Sequence, residues 1–590
     1  MRLSHRQAWF LAFTAAFAVL AGFVFWGTWS LSACPVMPDA RMAFPTDGYW
    51  GDVLRGWIGN GKFVPWDVTN FIGSPYLWQE LQYALAAYFS ALGAAYYLRG
   101  RGVSRLSSYG AGLFLGFCGY WLTLFSAGHA GWFRWMLFGV FAFGLADRAV
   151  RKDKLKNWVL LGACVAWASF YQPDLWLLFT IFTAAYFVWC CVRERKLPRV
   201  KGVAAALGAF LVIGAPSFIG AAADKDRRDS DIAGFNEAGS ALTGGKRADD
   251  REARWIFVTN WSLPPAETLE FFMPRINGDT SCPTVLGLGR SQNTGVRQYT
   301  GALGRPINAK QGNYRQHSLY VGRVTCLMAL LGVVLGFRKR EVVFFAVSAL
   351  LFWLLSMGRY FEPLYRLVFM LPVGDSIRAP VKWHHLTELC LCILAGYGLE
   401  AVRLSIEATG GFSKRAVCAM MCGIVLLGAA DLARVDRLYC AAMDLSIVQA
   451  KNPAAEEIIR RGGGRLADLI DGGNGPVGWS FSSRRIKVTA DPAAADARFV
   501  FAGGDQLANK RLMGWMKARG AVPVGAYAVT SKAIRSANKE AANAILFELP
   551  DSPKAPPAKP QTPPATFVTW LGALSLIGTI GVAAYGIKKA

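Results

Sequence analysis

Long apolar runs recur along most of the chain. Windows of about 20 mostly apolar residues, the length that an α-helix needs to cross a bilayer, occur twelve times. They lie at 9–31, 82–98, 106–126, 131–147, 156–172, 174–192, 202–222, 319–337, 341–358, 384–402, 415–433 and 566–587. The first window is longer than a signal-peptide core and no small-residue cleavage site follows it. The pattern predicts an α-helical polytopic membrane protein with about twelve transmembrane helices.

Lysine and arginine are concentrated in alternate short loops. The loops at 148–156 and 193–201 are strongly basic, whereas those at 126–131 and 172–174 contain no Lys or Arg. Because basic loops of membrane proteins face the cytoplasm, we expect both chain termini to be cytoplasmic. The long segments that break the apolar pattern then lie on the opposite side of the membrane, at 32–81, 223–318 and 434–565.

The composition agrees with a membrane protein. Of the 590 residues, 53% are hydrophobic and 17% are charged, whereas soluble domains carry about 25% charged residues. The net charge of +25 follows the cytoplasmic loops, which argues against nucleic-acid binding. Most of the 12 cysteines stand inside apolar runs. Cys34, Cys282 and Cys440 fall in the outer segments, and the sequence leaves open whether any two of them pair.

The segment 434–565 has the composition of a soluble domain. Short apolar strands are predicted at 485–489, 497–502, 522–529 and 544–549, with a helix near 505–519. We therefore divide the chain into a transmembrane domain (1–433), a small extracytoplasmic α/β domain that ends in a Pro-rich linker (434–565) and a C-terminal transmembrane helix (566–590).

The first outer loop holds a short amphipathic helix. Trp50, Leu54 and Trp57 share one helical face, which predicts a helix lying flat on the outer leaflet. Asp47 precedes this helix at the depth of the bilayer surface. Aspartate is a favoured N-cap residue, so a capping role and a catalytic role remain equally supported by the pattern.

A second amphipathic stretch, 359–382, runs into the tenth apolar window. It brings Arg378, Lys382 and His384 to the outer mouth of that helix. Cations at the membrane surface suit a lipid phosphate or pyrophosphate. The alternative is that the long basic side chains only extend to lipid headgroups. That alternative is favoured for Lys382 alone, whereas the Arg378–Lys382 pair beside Pro380 favours a binding site.

Several outer motifs resemble the YfhO-like bacterial membrane proteins, a branch of the GT-C superfamily of polytopic glycosyltransferases. The resemblance rests on the segments TDGYW, GNGKFVPWDVTNFIGSPY, SAGHAGWFRW, PPAETLEFFMP, SLYVG and SIRAPVKWHHLTELCLCILAGYGLE. They occur in the family's order between about residues 45 and 400. The α/β domain matches that family only in its position and general type.

The resemblance implies a transferase on the outer face of the bacterial inner membrane. Its donor would be a sugar on polyprenyl phosphate, with no other cofactor, and its acceptor an envelope glycan or glycolipid. Asp47 matches the position of the family's first-loop carboxylate, which acts as base or binds the acceptor. Asp52 and Asp67 would assist, and His129 would serve in catalysis. The sequence lacks an Asp-x-Asp or Asp-Glu pair there, so we expect an inverting, metal-independent reaction.

Two other classes of function remain open. A transporter or flippase for a lipid or glycan would be expected to show internal repeats and helices broken at mid-membrane, and the sequence shows no clear repeat. A non-catalytic envelope-assembly protein with an extracytoplasmic binding domain is the third possibility. Loss of function on substitution of Asp47 would separate the transferase from the assembly protein.

Overall fold

The structure is a computed structural model that describes most of the helical part of the chain. The described residues are 4–29, 33–35, 75–127, 129, 135–170, 172–223, 250–279, 318–371, 374–440, 442–444, 452–470, 481, 486, 488–489, 497–527, 544–549, 574–575 and 577–582. The predicted surface helix of the first outer loop lies outside the described residues, as do Asp47, Asp52 and Asp67.

The apolar windows of the sequence contain α-helices. In chain order the helices up to the α/β domain are α1 (His5–Val24), α2 (Pro75–Gly100), α3 (Arg105–Gly116), α4 (Gly119–Ala127), α5 (Met136–Lys152), α6 (Leu155–Ala168), α7 (Pro173–Glu194), α8 (Val200–Ala223), α9 (Asp250–Val258), α10 (Arg323–Gly336), α11 (Arg340–Ser356), α12 (Glu362–Met370), α13 (His384–Ala408) and α14 (Lys414–Asp436). Short 3-10 helices at Pro265–Phe271, Gly358–Phe361 and Pro380–Trp383 connect some of them.

Local sequence sets several helix ends. Ser4 and Gln7 form a capping box at the start of α1, in which the Gln7 N–H donates to Ser4 Oγ (3.3 Å) and the Ser4 N–H donates to Gln7 Oε1 (2.9 Å). Ser413 Oγ accepts the Ala416 N–H at the start of α14 (3.2 Å). Helix α7 begins with Pro173 and ends at Arg195, whose φ of 50° is left-handed.

Four of the described helical segments are long and apolar enough to cross a membrane without a partner. They are His5–Val24, Pro173–Glu194, Pro380–Ala408 and Lys414–Asp436. A fifth is obtained if α11 and the segment Gly358–Met370, which bend by 110° at their junction, form one broken span. The prediction of a mostly helical protein with several membrane-spanning segments is therefore confirmed, and the number of twelve spans stays a prediction.

One predicted span is broken in the structure. The window 106–126 is divided into α3 and α4, and the extended segment 318–322 packs against the break. The Gly119 N–H donates to the carbonyl oxygen of Tyr320 (2.8 Å), and the Ser318 N–H donates to Thr123 Oγ1 (2.8 Å). A β-carbon on Gly119 would lie 2.6 Å from the same Tyr320 oxygen. The contact therefore requires glycine at the first residue of α4.

Helices α10 and α13 pack backbone against backbone. A β-carbon on Gly398 would lie 1.8 Å from the carbonyl oxygen of Met328, and one on Gly332 would lie 2.3 Å from that of Leu394. Glycine on both helices permits this approach, as at small-residue interfaces between transmembrane helices.

A buried ionic cluster joins several helices at the end of the bundle that the sequence predicts to be cytoplasmic. Asp147 of α5 accepts hydrogen bonds from Arg151 (2.6 Å), Arg193 of α7 (2.7 Å) and Arg101 (3.2 Å). Arg193 and Arg101 also contact Glu341 at the start of α11. One buried carboxylate thus links α5 and α7 to the loop between α2 and α3.

The α/β domain contains a five-stranded sheet. Its elements are α15 (Pro453–Arg460), β3 (Arg465–Asp468), β4 (Val488–Thr489), β5 (Ala497–Ala502), α16 (Gly504–Leu507), α17 (Lys510–Ala518), β6 (Val522–Tyr527) and β7 (Ala544–Glu548). The strand order is β4-β3-β5-β7-β6, with β3 parallel to both neighbours and β7 antiparallel to both of its own. Strand β3 is not among the predicted strands.

Alternation along the central strand of this sheet builds two apolar layers. Phe499 and Phe501 of β5 pack on one face, and Val500 packs on the other with Met516 of α17. A separate antiparallel pair, β1 (Ala33–Pro35) and β2 (Ala442–Asp444), joins the start of the first outer loop to the segment after α14. Cys440 is buried just before β2, and the side chains of Cys34 and Cys282 lie outside the described residues.

Candidate functional site

The exposed side chain of Arg378 lies over two aromatic rings. Its guanidinium carbon is 5.4 Å from the ring centre of Trp261 and 5.8 Å from that of Phe257. No carboxylate of a described residue contacts it. Aromatic faces attract a cation without neutralising its charge, so Arg378 keeps a positive charge that an anion can bind.

The backbone fixes the position of Arg378. The Ala379 N–H donates to the carbonyl oxygen of Val258 (2.9 Å), and the Val381 N–H donates to that of Trp261 (3.1 Å). Ala379 adopts a left-handed φ of 65°, a conformation that costs a non-glycine residue on the order of 1–3 kcal/mol. The two hydrogen bonds hold this conformation and pin the arginine against the turn that follows α9.

A second arginine contacts the same turn but is used differently. Arg359 donates through its guanidinium to the carbonyl oxygens of Thr259 (2.8 Å) and Ile256 (3.0 Å), and its backbone N–H donates to Ser262 Oγ (3.0 Å). The last carbonyls of a helix carry partial negative charge and lack helical partners. Arg359 therefore caps α9 and stabilises the turn beneath Arg378.

Lys382 lies in a different setting from Arg378. Its side chain is buried and forms an ion pair with Asp174 at the start of α7. Asp174 Oδ1 also accepts the Leu175 N–H (2.9 Å). The carboxylate offsets the lysine charge, so in this structure Arg378 presents the more available cation of the two. The prediction that Lys382 binds phosphate remains a prediction.

His384 belongs to a buried polar cluster rather than to the exposed surface. Its ring packs against Phe271 (4.3 Å) and Tyr120 (5.3 Å between ring centres), and its Nε2 lies 3.7 Å from Glu388 Oε1. His385 Nδ1 lies 4.0 Å from the other Glu388 oxygen. The spacing His-His-x-x-Glu on one helix is the sequence signal for this cluster, since i, i+3 and i, i+4 residues share a face.

Glu388 joins α13 to the broken span. Its Oε1 accepts the backbone N–H of Tyr120 (2.9 Å), in the first turn of α4. A carboxylate at a helix N-terminus satisfies an orphan N–H and complements the helix dipole. The sequence pattern does not predict this partner, because Tyr120 and Glu388 are 268 positions apart.

Of the remaining candidate residues, the structure describes His129. His129 is half-buried beyond the end of α4, where its backbone N–H donates to the carbonyl oxygen of Leu124 (3.2 Å). Asp47, Asp52 and Asp67 lie outside the described residues. Within the described ranges no three His, Cys, Asp or Glu side chains are grouped to hold a metal ion.

An apolar groove of about 420 Å³ runs between α10, α11 and α13. Its lining includes Ala329, Val333, Ala346, Trp353 and Leu391. Its lining also includes Thr268 and Phe271 of the 3-10 helix Pro265–Phe271, which follows Trp261 in the chain, and Thr387 of α13, which follows Arg378. A volume of this size lies within the range of small-molecule sites, about 300–1,000 Å³.

Comparisons with known proteins find a likeness among solved structures. No protein-family model and no curated protein matches the chain. Among solved structures, the chain is similar to the crystal structure of the apo form of the Archaeoglobus fulgidus oligosaccharyltransferase, with a TM-score of 0.36 and 11% sequence identity. The match covers 84% of this chain and 70% of the archaeal one. At that identity and TM-score the likeness assigns no activity to this chain.

Proposed function

We propose that the protein is a membrane glycosyltransferase that takes a sugar from a polyprenyl-phosphate donor and transfers it to an envelope glycan or lipid. The observation that carries the proposal is Arg378. It offers a positive charge without a carboxylate partner among the described residues, and the elements that follow Trp261 and Arg378 in the chain contribute to the lining of an apolar groove. A lipid phosphate is one anion whose apolar tail and charged head fit such a pair of features.

The proposed chemistry is a single displacement at the sugar. The acceptor hydroxyl oxygen forms a bond to the anomeric carbon as the bond from that carbon to the phosphate oxygen breaks. Asp47 accepts the hydroxyl proton as general base, and polyprenyl phosphate leaves with the electron pair. Arg378 stabilises the charge that develops on the departing phosphate, while Lys382, His384, Asp52 and Asp67 are proposed to line the substrate and His129 to assist proton transfer.

The matched pair Arg378→Gln and Arg366→Gln tests the proposal. Arg366 also lies over a tryptophan, Trp255 (3.9 Å), but it is paired with Glu362 (2.9 Å) and Glu252. In a deletion strain, each variant would be expressed at the wild-type level, and the initial rate of labelled-sugar incorporation into envelope glycans and glycolipids would be measured.

We expect Arg378→Gln to lower the rate and Arg366→Gln to leave it near wild type. A hydrogen bond to a charged group is worth about 1.5–3 kcal/mol, which corresponds to about a 10- to 150-fold loss in rate. Equal rates for the two variants would remove the support that Arg378 gives to the proposal.

A transporter or flippase is the second candidate, because the span formed by α3 and α4 is broken around a buried carboxylate. Discontinuous helices and intramembrane ionisable residues are typical of transporters. A transporter would move the labelled lipid across a vesicle membrane without changing its mass, whereas the transferase would release polyprenyl phosphate and lengthen an acceptor.

A further inference from the structure

A second apolar groove lies along α1, and none of its lining residues lines the first groove. It has a volume of about 450 Å³ and is lined by Val19, Gly22, Phe23, Trp26 and Arg437. The first four residues follow one another at helical spacing and form one stripe about 10 Å long. Val19 and Trp26 are 71% and 76% exposed, so the stripe is open to the membrane rather than covered by the described helices.

One cation stands at the end of this groove. Arg437 directly follows α14, and its guanidinium carbon lies 4.5 Å from the ring centre of Phe23. No carboxylate of a described residue contacts Arg437. By contrast Arg434, one turn earlier, is paired with Asp431 (3.2 Å).

The position of the cation fits the surface of a bilayer. Helices α1 and α14 are both long and apolar enough to cross a membrane, and both end where Phe23 meets Arg437. A tryptophan at the end of a span, here Trp26, is typical of the headgroup region. The groove therefore combines an apolar track at the depth of acyl chains with a positive charge at the depth of lipid phosphates.

We propose that this groove binds a phospholipid, with one acyl chain on the Val19–Trp26 stripe and the phosphate on Arg437. The phosphate supplies an anion to Arg437, which contacts no carboxylate within the described ranges, and the acyl chain covers the exposed apolar stripe. The site does not depend on the proposed glycosyl transfer, and it would hold α1 against α14 whatever the protein's activity.

Three variants test the site in the full-length protein. Arg437→Gln removes the charge, and Arg434→Gln is the matched control on the same helix. Gly22→Leu fills the groove, and the space allows it because the nearest atom to an added β-carbon is on Trp29 at 4.0 Å. Phosphatidylglycerol with a photoactivatable acyl chain would be titrated into the detergent-solubilised proteins, and bound lipid would be counted by native mass spectrometry.

We expect wild type and Arg434→Gln to retain one lipid more than Arg437→Gln and Gly22→Leu. Loss of the phosphate contact in Arg437→Gln should weaken the affinity for the lipid at least about tenfold. The photoadduct should map to residues 19–26. Thermal unfolding of all four proteins would identify a variant that failed to fold. If one of Gly22→Leu and Arg437→Gln fails to fold, the other still tests the site, because the two changes act on different parts of it. Equal lipid counts for wild type and both folded variants, or an adduct elsewhere, would overturn the proposal.

Discussion

The buried cluster around Asp147 predicts a large loss of stability for one small change. Asp147→Asn keeps the shape of the side chain and removes its charge. Asp147 is 1% exposed, and its two oxygens accept hydrogen bonds from Arg151, Arg193 and Arg101 at 2.6–3.2 Å. After the substitution, Arg101 keeps Glu341, Arg193 keeps Glu341 and Glu194 (2.8 Å), and Arg151 keeps its bond to the Gly100 carbonyl oxygen (2.7 Å), so three arginines face two carboxylates.

The expected magnitude follows from the burial of the cluster. Removing one partner of a buried ion pair leaves an uncompensated charge and costs about 3–5 kcal/mol. Asp153→Asn provides the control, because the ion-pair partner of Asp153 is Arg199, which is 79% exposed. The other hydrogen bond of Asp153, from the Trp158 indole N–H (3.1 Å), can also be accepted by an asparagine oxygen. Exposed ion pairs contribute about 0–1 kcal/mol, so the two Asp→Asn changes should differ by several-fold.

Unfolding of both variants in mixed micelles, titrated with sodium dodecyl sulfate and followed by tryptophan fluorescence, measures the two free energies. We expect Asp147→Asn to unfold at a clearly lower detergent fraction than wild type and Asp153→Asn to unfold close to wild type. A loss below about 1 kcal/mol for Asp147→Asn, the range of an exposed pair, would refute the view that this carboxylate holds the helices together.

Two further predictions concern Glu388 and Glu548. Glu388→Ala should leave the Tyr120 amide at the start of α4 without its acceptor and speed its hydrogen exchange, because an unmade buried hydrogen bond costs about 1–3 kcal/mol. Glu388→Gln keeps an acceptor, so its Tyr120 amide should exchange at a rate near that of wild type. Equal exchange rates in the two variants would contradict the capping role of Glu388. Burial raises the pKa of the Glu548 carboxyl, but hydrogen bonds from Arg498 and Arg461 outweigh it and the pKa is lowered. Because the pKa of Glu548 is lower in the folded state than in the unfolded state, its ionised form stabilises the fold. This stability is fully present above the unfolded pKa, about 4.3 for glutamate, and is lost as the pH falls through the folded pKa. The protection of the β5 and β7 amides, measured as their exchange rate in the full chain relative to the intrinsic rate at each pH, should therefore decrease below about pH 4. Glu548→Gln should reduce that decrease, and an equal pH profile of protection in both proteins would contradict it.

Sequence patterns predicted the elements whose cause is local. The apolar windows contain helices because the backbone N–H and C=O groups of an apolar segment inside a bilayer must hydrogen-bond to one another, and an α-helix achieves this within one segment. Strand β5 was predicted because 497–502 is a short run of apolar and aromatic residues. In both cases the signal lies within about 20 consecutive residues, so no distant contact is needed to read it.

Features that depend on distant residues were not predicted. The window 106–126 is long enough and apolar enough to be taken as one span, and its glycines alone do not locate the break between α3 and α4, which is stabilised by Tyr320 and Glu388. Likewise, Lys382 was grouped with Arg378 because the two are close in sequence. The partner of Lys382 is Asp174, which is 208 positions away. A charge pattern locates cations along the chain but does not show which of them the fold neutralises.

The mass profile of envelope glycans and glycolipids tests the central claim most directly. A deletion strain would be compared with the same strain carrying wild-type protein or Asp47→Asn at matched expression. The account predicts a sugar increment with the wild-type protein that is absent with Asp47→Asn and absent from the deletion strain. An Asp47→Asn profile identical to wild type, with both different from the deletion strain, would contradict Asp47 as the catalytic base and favour a capping role.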